Sequence, residues 1–476
     1  MKIIGRKREQ QLLKEYLESQ KPEFVAVYGR RRVGKTYLIR EALGTHFAFH
    51  LTGVANKGKD VQLDYFARSL RAYGGGDAGV FDSWPDAFDK LKELLLRKIG
   101  SEKKVVFFDE ISWLDTHRSG FLSALEHFWN DWASSRPDIL LIACGSATSW
   151  IVDNLLRNTG GFFNRVTRRI ELLPFSLAEC EDYYTANLIA YDRKQMAEAY
   201  MIYGGVPFYL SLMESGKSVA QNTDDLCFAR NAQLKNEFSE LYATVFKHPD
   251  KHIEIVKALA SKQGGHSRDD IIEMTGIPSG GGLTKALEEL EASGFIYRYD
   301  DISGAGDRYL YQLIDPFTLF FLRFMYVGGG KRKTNPRFWS QYTGSGGYYA
   351  WAGYAFERLC LLHSEEIKRA LGISGIMTNI YSWRSAMEKP AAQIDLVIDR
   401  ADGVLNLCEM KFVSQAYSLD ANEAEKLSDK IAAFRRETKT KRAVHLVMVT
   451  TYGLRPNMHS GEVRFQVTLD NLFVHL

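Results

Sequence analysis

The stretch FVAVYGRRRVGKTYLIREAL, Phe24 to Leu43, decides the fold of the first half of this chain. FVAVY is an apolar run fit for a buried strand, YLIREAL has helical spacing, and GRRRVGKT, Gly29 to Thr36, joins them. A strand, a glycine-bounded loop and a helix in this order form an anion cradle. Glycines let successive backbone N–H groups curl round a phosphate, and the helix N-terminus adds its positive end. Lys35 would neutralise the β and γ charges of a nucleotide, and Thr36 would offer its hydroxyl to Mg2+. The nucleotide-binding residues expected on this reading are Gly29, Arg30, Arg31, Arg32, Val33, Gly34, Lys35, Thr36 and Tyr37. The plainer alternative is a glycine-rich turn ahead of a helix.

Working outward, FAFHL, KVVFFDE, ILLIACGS and RRIELLPF are further strands, most with helical stretches between them, which is the pattern of a parallel α/β sheet. KVVFFDE, Lys104 to Glu110, ends an apolar strand in two acids. With a phosphate loop upstream, Asp109 suits Mg2+ held through water and Glu110 suits polarising the attacking water, because γ-phosphoryl transfer is mainly positioning and charge neutralisation. A solvated acid pair at a strand end is the bland reading. Ser146 closes ILLIACGS at the carboxyl edge of the sheet, where open α/β sheets bind ligands. It either senses the γ-phosphate or caps the strand end.

Composition bounds the rest. A chain of 476 residues exceeds one compact core, so several domains of ordinary size are expected. Apolar residues at 45% and charged residues at 25% are ordinary for globular proteins. A net charge of +3 leaves nucleic-acid contact to local basic patches. The five cysteines, Cys144, Cys180, Cys227, Cys360 and Cys408, form no CxxC pair and fit buried thiols in a reducing cytoplasm. No apolar run approaches the ~20 residues of a membrane helix, and the charged start is unlike a signal peptide. A cytoplasmic location follows as the expectation.

Beyond the sheet, SLAE, Ser176 to Glu179, has capping-box spacing and opens a helical region over 176–245. HIEIVKALAS, RDDIIEMTG and LTKALEELEASG then read as short helices, and FIYRYD and DRYLYQL as strands, together a winged helix over 246–327. Its presumed reading helix carries Glu288, Glu289 and Glu291 against Lys285, so packing on a protein partner is weighed against DNA readout. A Gly-rich, basic stretch makes 328–347 the expected linker.

Six stretches in order, IIGRKREQQLLKEYL, GRRRVGKT, KVVFFDE, CGSATSW, GGFFNRVTRRIELLPFSLAE and YGGVPFYL, resemble the prokaryotic, archaeal-type AAA ATPases related to the STAND signalling NTPases. The resemblance implies ATP as the nucleotide, a P-loop core over 1–175 and a helical lid over 176–245. It implies that Ile4, Gly5, Arg6 and Glu9 lie near the adenine, that Arg165 reaches the γ-phosphate in cis or from a neighbour, and that Gly204, Gly205 and Pro207 shape a helix break. Arg165 also reads as a solvated loop residue, since Arg168 and Arg169 follow it.

QIDLVIDRADGVLNLCEMKF, Gln393 to Phe412, is a pair of apolar strands round the turn ADG. A three-residue loop ending in a left-handed Gly403 pairs Arg400 with Val404, so that Asp395 faces Glu409 and Gln393 faces Lys411. Alternation then sends Asp395, Val397, Glu409 and Lys411 to one face, and Ile394, Leu396, Ile398, Cys408, Met410 and Phe412 to the other. Opposed carboxylates repel unless a cation lies between them. A solvated hairpin face with a Lys–Glu pair is the alternative.

This hairpin, with Glu357 on the helix before it, resembles the PD-(D/E)XK nucleases of restriction-endonuclease-like fold. The resemblance implies such a domain over 348–476, with Asp395 and Glu409 binding Mg2+, Glu357 supporting the metal, Lys411 orienting the nucleophile or stabilising charge, and Gln393 assisting position. The basic stretch RRETKTKR, Arg435 to Arg442, offers a surface for phosphates. The expected fold is thus multidomain α/β. The expected protein is an ATP-hydrolysing switch or motor coupled to a metal-dependent DNA-binding or DNA-cleaving domain. Its rivals are a non-cutting regulatory ATPase whose last domain binds protein or nucleic acid, and a transcription factor with a vestigial ATPase.

Overall fold

The computed structural model describes the chain apart from residues 1–2, 77–78, 101, 158–163, 262–263, 303–308, 327–334, 386–391 and 476. It divides into two compact units, Met1–Pro174 and Phe175–Leu476.

The first unit is built on a five-stranded sheet in the order β2-β3-β4-β1-β5, all neighbours parallel. The strands are β1 (Glu23–Tyr28), β2 (Phe47–Thr52), β3 (Lys104–Asp109), β4 (Ile139–Gly145) and β5 (Arg168–Glu171). Helices cover both faces, so the central strands read as continuous apolar runs rather than alternating ones; every residue of β4 is buried. Phe24, Phe49, Val106, Phe108 and Leu141 pack on one face, and Val25, Val27, Phe107 and Ile142 pack with Leu13, Leu38 and Ile39 on the other. The strand order has a direct consequence for chemistry. Because β4 lies between β1 and β3, the residue that follows it, Ser146, stands between the phosphate loop and the acid pair.

The second unit holds a mixed sheet of eight strands, β13-β12-β11-β10-β9-β7-β8-β6. These are β6 (His266–Ser267), β7 (Ile296–Asp301), β8 (Tyr309–Leu313), β9 (Thr378–Arg384), β10 (Gln393–Arg400), β11 (Val404–Lys411), β12 (Ala443–Thr450) and β13 (Phe465–Thr468). Helices Asp250–Ser261, Arg268–Thr275 and Gly281–Ala292 precede the β7–β8 hairpin as read from the sequence. That hairpin does not stand apart. β7 pairs in parallel with β9 at Asp300–Tyr381 and Asp301–Ser382, which makes one sheet with the C-terminal strands. One core likewise runs from Phe175 through Tyr242, Phe295, Phe320 and Phe356 to Phe473. The separate modules expected over 176–245, 246–327 and 348–476 are therefore joined here, because they share apolar faces.

The expected linker differs too. Residues 328–334 lie outside the described residues, but Phe338–Tyr342 is a helix whose Trp339 is 2% exposed. Its start is fixed where the Trp339 backbone N–H donates to the buried Asp224 carboxylate at 2.7 Å. All five cysteines are buried and free, and among the described residues no helix is long and apolar enough to cross a membrane.

A buried histidine closes one helix onto another in this unit. The N–H of Leu177, an orphan donor in the first turn of helix Leu177–Ala186, donates to His363 Nε2 at 3.1 Å, so His363 must be neutral there. Nδ1 is 2.8 Å from the Leu359 carbonyl, to which it donates. Burial lowers the pKa of His363 to about 4, against a smaller raising effect of that carbonyl. Since the unfolded imidazole titrates near ~6.5, the native state binds fewer protons below that value, and stability must fall as pH drops from ~6.5 to about 4. We expect a loss of about 3 kcal/mol over that window, absent in His363→Gln, read from denaturant midpoints of the two proteins at several pH values.

Candidate active site

The phosphate loop leaves β1 at Gly29, whose φ of 137° is glycine territory, and a Cβ there would lie 2.2 Å from the Leu172 carbonyl oxygen. Helix Lys35–Leu43 then opens at a left-handed Gly34. Lys35 is 4% exposed, and its Nζ donates to the carbonyls of Gly29 at 2.7 Å and Arg30 at 2.8 Å and to Ser146 Oγ at 3.2 Å. Burial pushes the Lys35 pKa down, although the nearby Glu110 and Asp109 charges oppose this. Thr36 Oγ1 lies 2.9 and 3.1 Å from the two oxygens of Asp109. Burial raises the pKa of that carboxyl, outweighing the hydrogen bond from Thr36.

Glu110 sits in the left-handed region at φ 46° and turns its carboxylate to Ser146. The Ser146 hydroxyl donates to one oxygen at 2.7 Å and its backbone N–H to the other at 3.1 Å. Ser146 is thus joined to both Lys35 and Glu110, more than either role read from the sequence assigned it. Arg6 turns inward: its guanidinium donates to the Leu173 carbonyl at 2.5 Å and the Val33 carbonyl at 3.4 Å, which ties the Ile4–Gly5 segment to the loop. Val33 is buried, Arg31 and Arg32 are half-buried, and Tyr37 is exposed. Arg165 stands exposed in the turn before β5, and no hydrogen bond or ion pair ties it to these residues. Of its GGFFNR stretch, 160–163 lie outside the described residues.

This cradle carries a second, independent signature, since residues 21–181 match the family described as AAA domain. The chain is an ATPase. A curated relative, the uncharacterised protein MJECL04 of Methanocaldococcus jannaschii, is 24% identical over 327 residues, covering 68% of this chain and 69% of the relative. Among solved structures, the Walker-type ATPase PABY2304 of Pyrococcus abyssi is similar at TM-score 0.48 and 20% identity over 67% of this chain and 96% of that one. The ORC2 protein of Aeropyrum pernix is similar at TM-score 0.39 and 14% identity, over 67% and 93%.

The ATPase site fits a divalent cation. A buried carboxylate, 3% exposed, faces a hydroxyl at hydrogen-bond distance, a pair of hard oxygen donors with charge to be neutralised. Thr36 and Asp109 would hold Mg2+, which would supply charge neutralisation to the bound phosphates. The chain does the rest. Loop N–H groups and the N-terminus of helix Lys35–Leu43 would meet the phosphate oxygens, and Lys35, fixed by three acceptors, would add a positive charge. Glu110, oriented by Ser146, would be the group to position water in line with the γ-phosphate.

The second unit gathers further charged residues. β10 and β11 pair in the register read from the ADG turn, Leu396 with Cys408 through Asp399 with Leu405, and the paired residues stop one step short of Asp395 and Glu409. The strict alternation fails beyond that point. A register shift against β9 between Ile394 and Val397 puts Ile394 in the cluster of Val397, Trp383 and Phe434, while Leu396 and Ile398 join the main core. Gln393 donates to Asp395 at 2.6 Å. Glu357, on helix Gly346–Leu362, has its pKa raised to about 8, first by burial and then by the charge of Asp395.

Glu409 is differently placed. Its two oxygens meet Lys411 at 3.0 Å and Lys430 at 2.8 Å, and although burial pushes its carboxyl up, these cations hold it below its usual range. Lys430 escaped the sequence reading. Its signal was a lysine on the apolar stripe Leu427, Ile431, Phe434 of helix Ala421–Thr438, where a cation needs a buried acid. Gln312 of β8 and Tyr299 of β7 were missed as well; with its oxygen turned to Arg358, Gln312 accepts from both terminal guanidinium nitrogens at 2.7 Å and bonds Tyr299 at 2.9 Å. Among the described residues no three His, Cys, Asp or Glu side chains converge into a metal cage. The basic stretch is divided, since its helix ends at Thr438 and Arg442 pairs with Asp399.

Proposed function

We propose that this ATPase is a cytoplasmic switch or motor whose nucleotide state governs a metal-dependent, DNA-cleaving site in the second unit. The observation that carries the reading is the electrostatic coupling of Glu357, on helix Gly346–Leu362, to Asp395 of β10 and to Glu409 and Lys411 of β11, with Glu357 raised to about 8 by burial and neighbouring negative charge. Crowded, desolvated carboxylates are in a conflict that a divalent cation relieves. Asp395 and Glu409 would hold Mg2+ with Glu357 in support, and the ion would supply an activated nucleophile. Lys411 neutralises charge developing on the phosphate.

The segment 246–327 is read as a winged helix that touches DNA. Its acids are less of an obstacle than their number implies, because Lys285 lies 4.0 Å from Glu289 and Arg298 lies 3.3 Å from Glu291. Plasmid and single-stranded DNA incubated with Mn2+ or Mg2+ test the reading. Wild type should cut and Lys411→Ala should not; equal cutting by both removes the assignment.

One observation favours the rival, a regulatory ATPase that grips DNA or protein without cutting it. The Lys430 and Lys411 ammonium groups already balance Glu409. On that reading DNA binding depends on nucleotide and no product appears with either metal.

A further inference from the structure

A groove of about 300 Å³ opens one residue beyond Lys411, lined by Tyr349, Phe412, Ser414, Tyr417, Ser418 and Arg455 among others. The Phe412 ring packs on Phe356, the residue before Glu357, with centroids 5.4 Å apart. The walls are pinned in place. Val413 N–H donates to Thr451 Oγ1 at 3.0 Å, Tyr417 N–H to the Gly453 carbonyl at 2.9 Å, and Arg455 N–H to the Tyr417 carbonyl at 2.8 Å. The Tyr417 hydroxyl bonds the carboxylate of Glu423, whose charge in turn acts on Lys411.

The lining chemistry is selective. Tyr349 is 54% exposed, an aromatic face left in water at the start of helix Gly346–Leu362, and Tyr452 nearby in sequence to Arg455 is 48% exposed. No acid lines the groove, and the exposed Arg455 guanidinium forms no ion pair among the described residues. Aromatic faces, hydroxyls and an uncompensated guanidinium match unstacked bases joined by phosphates, since every base has a face that stacks and every phosphate a charge. A duplex keeps its bases inside the helix and cannot offer them to a recess of this size, whereas a single strand can.

We infer that this groove is a base-stacking subsite for single-stranded DNA, with Tyr349 and Tyr417 against bases and Arg455 on a flanking phosphate. The inference deepens the nuclease reading by naming the strand that enters the site, and in that respect rests on it. Its test does not.

Fluorescence anisotropy of the full chain with a labelled oligothymidylate in EDTA reads binding where no metal-dependent cleavage can occur. Tyr349→Ala should weaken binding about 5- to 100-fold, Tyr349→Phe should retain it, and Arg455→Ala should weaken it and flatten its salt dependence. The matching duplex should bind at least about tenfold more weakly than the single strand. Tyr349 is on the surface, so an unchanged melting temperature certifies the fold of its variants. Equal affinity of wild type and Tyr349→Ala, a preference for duplex, or tighter binding of oligouridylate would each overturn the assignment. Cleavage without any Tyr349 effect leaves the nuclease reading and removes this one; Tyr349-dependent binding without cleavage does the reverse.

Discussion

Lys35→Ala is expected to lower phosphate release at saturating ATP by about 10²- to 10³-fold, the loss that follows when one preorganised charge is taken from a transition state. The buried ammonium is held by the carbonyls of Gly29 and Arg30 and by Ser146, so it is set in place before the nucleotide arrives and needs no reorganisation during transfer. Alanine also removes charge from the ground state, so ATP affinity should fall together with turnover. Glu110→Gln separates the two effects. Its amide keeps the size of the side chain and can still accept from Ser146, so nucleotide affinity should stay near wild type while turnover falls about 10²-fold or more. If Lys35→Ala hydrolyses ATP at the wild-type rate, the cradle around Gly29 to Thr36 is not the hydrolytic site.

This site was legible in the sequence because its parts are local. A strand ending at Tyr28, a loop of fixed spacing and a helix beginning at Lys35 are contiguous, and Asp109 at the end of β3 with Glu110 just after it closes an unmistakably apolar run. The hairpin register was legible for the same reason, since the turn Ala401, Asp402, Gly403 sets the pairing of the residues on either side. What the sequence concealed is non-local. The parallel contact that fuses β7 to β9 rests on two residue pairs, and nothing in the composition of either strand announces it. The shift between Ile394 and Val397 is a departure of one strand from its neighbour β9, invisible in a pattern of alternating side chains. Lys430 meets Glu409 across 21 positions of chain, through a helix whose orientation on the sheet is fixed by Phe434 and Leu427 rather than by any motif. The Gly-rich segment misled in the opposite direction, because glycine content there outweighed the aromatic anchor Trp339.

Gly205→Ala should destabilise the second unit by about 4 kcal/mol or more, whereas Gly204→Ala should cost only about 1–2 kcal/mol. Both residues have φ of 65°, so the intrinsic strain of an added Cβ is the same at each. Their surroundings are not. At Gly204, the C-terminal end of helix Arg193–Tyr203, the nearest atom a Cβ would meet is Pro316 Cδ at 3.0 Å, and a ring can give by a few tenths of an ångström. At Gly205 the Cβ would lie 2.2 Å from the Phe175 carbonyl oxygen and 2.6 Å from Tyr200 Cε2. That backbone cannot retreat cheaply, because the Phe175 N–H donates to the Gly205 carbonyl at 2.8 Å and Ser176, next along, caps helix Leu177–Ala186. Two successive left-handed residues turn the chain out of one helix so that Pro207 can begin the next, where its missing N–H is no loss. The glycine pair is thus a backbone crossing, and its second member is the one that geometry demands. Calorimetry of the two variants beside wild type checks this: a Gly205→Ala protein melting no lower than Gly204→Ala would mean that the close approach to Phe175 does not constrain the fold.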